Sequence, residues 1–220
     1  MEHGRVHFSA AVEKLNNEII KMGTLVEEAL RNAMQALVDH DLELAEKTIN
    51  DDDQINALEL EIQDKLTVLI ATEQPVANDL RHIVTSLKVV TQLERMGDHA
   101  VHVAKAVKRL GGEEYMKPLI DLPKMSAVGI RMLHDVLNAF TEKNVEQAKE
   151  IAKQDDEIDE LNNKVWRELI TYMMEDSKYI RQATHFLFIS RWLERFADHV
   201  TNISEWIVYD ATGKHVELNL

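Results

Sequence analysis

Glu94 and Asp98 stand four residues apart, and Glu194 and Asp198 repeat the pair one hundred positions later inside nearly the same phrase, ERMGDH at 94–99 and ERFADH at 194–199. Asp155 and Asp159 form a further pair at this spacing, and Asp52 and Asn56 another in which the second acid is replaced by an amide. Four-residue spacing sets two side chains on one face of a helix, where like charges cost about 0.2–0.5 kcal/mol per pair. A bound cation offsets that cost. An oxygen-rich donor set without thiolate suits Fe³⁺, Mn²⁺, Mg²⁺ or Ca²⁺, with Zn²⁺ also accommodated. A single acidic pair on a helix is ordinarily a solvated surface, so the weight rests on the duplication.

These residues need helices to carry them. Only seven glycines and three prolines interrupt long segments in which apolar residues recur every three or four positions, the pattern of an all-α protein. Breakers at 39–41, 72–75, 110–123, 142–144 and 175–178 divide the chain into six predicted helices, 7–38, 41–72, 77–109, 122–142, 145–174 and 178–210. The stretch LGGEEYMKPLIDLP at 110–123 reads as a linker between two groups of three helices, 1–112 and 113–220.

The groups are an internal repeat. At an offset of 103, Met22, Leu30, Asp52, Asp53 and Ile55 fall on Met125, Leu133, Asp155, Asp156 and Ile158; past the next turn the offset is 100, and Arg81, Glu94, Arg95, Asp98 and His99 fall on Arg181, Glu194, Arg195, Asp198 and His199. Two homologous three-helix bundles in tandem, each burying its own apolar stripes, are the expected architecture. In the sixth helix Phe186, Ile189, Leu193, Phe196 and Val200 form the core stripe, which places Glu194 and Asp198 on the outer surface; Glu94 and Asp98 follow suit in the third helix. Folding the chain back at Ser177 brings Asp155 and Asp159 level with Glu194 and Asp198, and folding at Gln74 and Pro75 brings Asp52 and Asn56 level with Glu94 and Asp98. Asn56 leaves the first cluster one charge weaker. Asn202 and Glu205 extend the acidic face of the second cluster, His102 and Lys105 that of the first. His99 and His199 point about 100° away from the adjacent aspartates, which disfavours them as ligands. Trp166, Trp192 and Trp206 are either core or partner-contact residues.

Composition narrows the rest. A net charge of −14 disfavours nucleic acid and anionic lipid and favours cations or basic protein surfaces as partners. The absence of cysteine removes disulfides, thiolate metal sites and thiol nucleophiles. No phosphate-binding glycine loop, H-E-x-x-H or EF-hand loop is present. Di-iron bundles use inward Glu-x-x-His pairs, and neither Glu94 nor Glu194 has a histidine three residues on, so a redox or hydrolytic role is disfavoured. With no apolar leader and no membrane-length apolar run, a cytoplasmic location is expected.

Two three-helix repeats, each with a D-x-x-x-D/N pair and an E-R-x-x-D phrase, together with TYMMEDSKYI at 171–180 and a closing Tyr209, Thr212 and Gly213, closely resemble the PhoU family. That resemblance implies a non-enzymatic negative regulator of the phosphate-starvation response. It further implies an adaptor between a phosphate ABC transporter, through its ATPase subunit, and a PhoR-type sensor histidine kinase, a protein that is cytoplasmic or held at the inner membrane through those partners. It also implies homodimers and multinuclear iron or zinc clusters at the motif positions, here Asp155, Asp159, Glu194 and Asp198 and, in the first half, Asp52, Asn56, Glu94 and Asp98. The alternative is a carboxylate-rich protein for metal storage or buffering.

Overall fold

The computed structural model describes residues 2–218, with side chains from Phe8 onward; Met1 and residues 219 and 220, the ends of the two expected units, lie outside it. Seven helices follow in order: α1 Glu2–Asp39, α2 Leu42–Glu73, α3 Asn78–Leu110, α4 Asp121–Glu142, α5 Val145–Ala152, α6 Asp155–Glu175 and α7 Ile180–Thr212. Their boundaries are set by local chemistry at the expected breakers. Asp41 caps α2 by accepting from Leu44 N–H at 2.9 Å, and Asn144 caps α5 by accepting from Gln147 N–H at 3.1 Å. Gln74, Gly111 and Gly213 close α2, α3 and α7 in the left-handed conformation.

The helix expected over 145–174 is two helices. Lys153 and Gln154 tighten into a short turn in which Gln154 N–H bonds to Ile151 O at 2.9 Å and Glu157 N–H to Gln154 O at 3.2 Å. No glycine or proline marks the place, so apolar periodicity runs through it unbroken. The tightening starts α6 at Asp155, with Asp155, Asp156 and Glu157 in its first turn, where acidic side chains complement the exposed N–H groups.

The two repeats do not keep separate cores. Buried residues of both, from Leu15 and Ile19 through Leu93 and Met96 to Phe186, Phe196 and Ile207, form one continuous cluster. α3 and α7 lie together at its centre, with α1 and α4 packed on each other and on one face of this pair, and α2 and α6 at the flanks. An ideal Cβ at Gly23 would stand 2.2 Å from Leu137 Cδ1, so glycine there permits the close approach of α1 and α4. The linker is tied down: Tyr115 O–H donates to Leu37 O at 2.7 Å, and Gln182 accepts from Met116 N–H at 2.6 Å while donating to Glu114 O at 3.0 Å.

Along the central pair, residue numbers rise on α3 as they fall on α7: His82 meets Asp210, Gln92 meets Asn202, His102 meets Trp192 and Arg109 meets Arg181. The helices are therefore antiparallel. The pair Gln92 and Asn202 maps onto Trp192 and His102 when one hundred is added to the first number and taken from the second, so a pseudo-twofold axis crosses the seam. His99 and His199 sit on it, their Nε2 atoms 3.3 Å apart.

Candidate functional site

Glu194, expected on the outer surface, is buried at 8% exposure, and Asp155 is buried at 1%. The outward placement is corrected by the position of α7, which is covered by α4, α5 and α6 on one side and by α3 on the other. Ser190, Ala197, Thr201 and Ser204 are buried for the same reason, so the helix has more than the single apolar stripe of a peripheral helix. Asp198 is half-buried and Asp159 exposed; in the first repeat Asp52, Asn56 and Glu94 are half-buried and Asp98 exposed.

The four second-repeat carboxylates share one electrostatic neighbourhood. Burial above all, then Asp198, with Asp159 and Asp155 adding and Arg191 opposing, pushes the Glu194 carboxyl up to about 7. Arg191 donates to Glu194 Oε1. The other oxygen, Oε2, is buried without a hydrogen-bond partner among the described residues, as is Asp52 Oδ1 in the first repeat.

The first repeat gathers four carboxylates as well, because it contains one that sequence reasoning missed. Glu59 lies two turns beyond Asp52 on the same face of α2, and its carboxyl is raised by partial burial and by Asp98, while Gln63 and Arg95 oppose. Glu94 is raised by burial, then by Asp98 and Glu59. Asp52 is raised by burial and Asp98, while Asn56 donates to its Oδ2 at 3.0 Å. At the offset of 103, Asn56 and Glu59 correspond to Asp159 and Asn162, so the acid and the amide have exchanged places and the expected deficit of one charge is made good. The i, i+4, i+7 spacing of Asp52, Asn56 and Glu59 was the available signal.

Among the described residues, no three His, Asp or Glu side chains already stand in the arrangement that would hold a metal ion. Asn202 and Glu205 do not join the second cluster: Asn202 Nδ2 donates to Gln92 Oε1 at 3.3 Å and Glu205 accepts from Leu218 N–H at 2.8 Å. His102 stacks on Trp192 at 5.2 Å, close enough to Asp98 and Asp52 to feel both charges.

His99 and His199 bind each other across the seam. Gln92 Oε1 accepts from Asn202 and, at 2.7 Å, from His199 Nδ1–H, which leaves His199 Nε2 to accept from His99 Nε2–H. Burial, followed by His199, His102 and the two arginines, pushes His99 down to about 3; burial, then Arg95 and Arg195, pushes His199 down to about 4. Both rings are therefore neutral at pH 7 and join the two repeats.

Two copies of one helical unit, of three helices in the first and four in the second, joined along their last helices and each carrying a carboxylate cluster on its flank, define a class of duplicated helical-bundle protein. The PhoU domain model matches residues 19–107 and again 122–207, and the chain belongs to the PhoU family. It is 42% identical over 213 residues to the phosphate-specific transport system accessory protein PhoU homolog of Clostridium acetobutylicum, covering 96% of this chain and 97% of that protein. It is 33% identical to the phosphate-specific transport system accessory protein PhoU of Escherichia coli, over 97% of this chain and 88% of that one. The crystal structure of PhoU from Pseudomonas aeruginosa superposes with a TM-score of 0.90 at 34% identity, covering 94% of this chain and all (100%) of that one. The phosphate transport system regulatory protein PhoU from Streptococcus pneumoniae gives 0.89 at 35% identity, covering 97% and 100%.

Proposed function

We propose that this protein regulates phosphate uptake as a non-enzymatic accessory of a phosphate-specific transport system. The observation that carries this reading is its similarity, at 42% identity over 96% of the chain, to a protein named for that role. No helix among the described residues is long and apolar enough to cross a membrane, so association with a transporter would run through protein contacts. In the finer reading the chain is a cytoplasmic homodimer, drawn to the inner membrane by its partners. It represses the phosphate-starvation response by linking the transporter ATPase to a PhoR-type histidine kinase. The test is expression of a phosphate-starvation gene in phosphate-rich medium, with the protein deleted and then restored. Expression should rise on deletion and fall on restoration; no change would overturn the reading.

The carboxylate clusters fit a cation cofactor by their donor chemistry and by the buried, unpartnered oxygens of Glu194 and Asp52. Asp155, Asp159, Glu194 and Asp198 would hold it in the second repeat; Asp52, Glu59, Glu94 and Asp98, with the Asn56 amide, would do so in the first. A bound multinuclear iron or zinc cluster would supply positive charge that draws α2 to α3 and α6 to α7. The chain's own part is to hold acceptor oxygens in partly desolvated clefts, where a cation is bound more strongly than in water. Replacing Glu194 and Asp198 with Ala should remove bound metal, read by elemental analysis, while helicity and cooperative unfolding persist. Full metal content in that variant would sink the assignment.

A further inference from the structure

The face of the α3–α7 seam turned away from α1 and α4 has a composition unlike the rest of the chain. Positions 81, 85, 88, 92, 95, 99, 102, 106 and 109 of α3 follow one another at steps of four and three, which keeps them on one helical stripe, and the same numbers plus one hundred trace the matching stripe on α7. Across these eighteen positions there are six Lys or Arg, four His and not one Asp or Glu, in a chain with 39 acidic and 25 basic residues. The stripe lies at the surface: Lys88, Arg95, Arg109, Arg181 and Arg195 are all exposed. Thr85 and Ala106 are buried beneath it where the helices touch.

Between the cations lie rings. Phe188, 51% exposed, stacks on Trp192 at 5.8 Å; Trp192 continues to His102, and the line reaches the His99–His199 pair. At the other end Lys88 stands over the Trp206 ring at 5.5 Å, and there the strip is bounded by the chain's own C-terminal segment, whose His215 stacks on Tyr209 at 4.3 Å and meets Trp206 edge-on at 5.6 Å. The result is a surface strip about 30 Å long from Lys88 to Arg109 at 1.5 Å per helical residue, on which basic side chains alternate with rings and whose far end is closed by the ion pair of Arg181 with Glu113 of the linker. Arginine and large aromatic side chains are the types enriched at protein interfaces.

We propose that this seam is a docking groove for an acidic, amphipathic segment of a partner protein. Charge complementarity selects an anionic occupant, and the exposed Phe188 ring with the half-buried Trp192 beside it requires apolar side chains on it. The flanks select a narrow one. Asp98 lies about 100° round α3 from His99, and the carboxylate clusters border the seam on both sides, so a broad polyanion such as duplex nucleic acid or an anionic bilayer would meet them as well. A single helix or extended segment occupies the basic strip alone. The inference takes from the proposed function only that the protein acts by docking, and it is tested separately from the starvation-gene readout.

The probe is a fluorescein-labelled 21-residue synthetic peptide with Glu on one helical face and Leu and Ala on the other, its binding read by fluorescence anisotropy. Controls are the same peptide with Lys for Glu, a duplex DNA of mixed sequence, and phosphatidylglycerol vesicles. The full chain should bind the acidic peptide and not the basic one, with affinity falling steeply as salt rises. Lys88→Glu with Arg109→Glu, both exposed and remote from the carboxylate clusters, should weaken binding at least tenfold, whereas Lys149→Glu, outside the seam, should change it less than twofold. Circular dichroism confirms that each variant is folded. Absence of binding, equal binding by the double variant, or a preference for DNA or vesicles over the peptide would each overturn the proposal. If the peptide result stands while deletion leaves the starvation gene unchanged, the groove survives and the phosphate reading fails.

Discussion

Glu194 shows how one side chain can record what surrounds it. Its carboxyl is raised to about 7 by burial and by three aspartates, so the folded state holds a proton that the unfolded chain releases nearer 4.5. The resulting stabilisation is fully present below pH 4.5 and is lost as pH rises through 7. With chelator present, urea denaturation at pH 5 and pH 8 should therefore find Glu194→Gln more stable than the parent by about 1–2 kcal/mol at pH 8 and little different at pH 5, the size being moderated by the partial solvation of the cluster. Asp210 behaves in the opposite way. Burial raises it, but the bond accepted from His82 at 2.8 Å and the charge of Lys143 outweigh that, and its carboxyl is held below the usual 3.8. Its contribution is present above the unfolded value and lost as pH falls through the folded one. Asp210→Asn should lower stability by about 1–3 kcal/mol at pH 7, a gap that narrows in acid denaturation below pH 4.

Secondary-structure elements here are positioned as much by polar ties as by apolar stripes. Gln182, buried on α7, holds two backbone groups of the linker, Met116 N–H and Glu114 O. Gln182→Leu would leave both without their partner, at a cost of about 2 kcal/mol, and would loosen the segment between α3 and α4. Limited proteolysis should then cut within 111–120 at a rate several-fold above the parent; an unchanged rate would mean that the remaining ties, Tyr115 to Leu37 O, Arg181 to Glu113 and Lys117 to Glu168, secure the linker. The break at Lys153 and Gln154 matters in the same way, since it sets Asp155 at the head of α6 and inside the second cluster.

At the scale of the molecule, the common core makes the repeats interdependent. Separating residues 1–112 from the rest would expose the α3 face that α7 covers, including His82 and Thr85, which bond Asp210 and the Trp206 carbonyl and are 4% and 0% exposed. That half alone should lack a cooperative thermal transition, while the whole chain shows a single one by calorimetry. Net charge is also less informative than its distribution. The total of −14 points to basic partners, yet the eighteen positions of the outer α3–α7 stripe carry six Lys or Arg and no Asp or Glu. A sum over the chain has no knowledge of which residues share a surface.

Periodicity, breakers and the offset comparison were enough to establish an all-α duplicated protein and to identify Asp52, Glu94, Asp98, Asp155, Asp159, Glu194 and Asp198 as belonging together, because helical spacing and hairpin registry are local rules readable one segment at a time. Glu59 was within reach of the same rule, seven residues after Asp52, but it lies outside the four-residue pairs on which the reading was built and has an amide, Asn162, as its counterpart in the second repeat. Three features lay beyond sequence reading: the burial of Glu194, the pairing of His99 with His199, and the joining of two basic stripes on the outer face of the seam. Each depends on α7 packing against α3 as well as against its own bundle, and a period of 3.6 tells which residues share a face without telling how many faces another helix will cover.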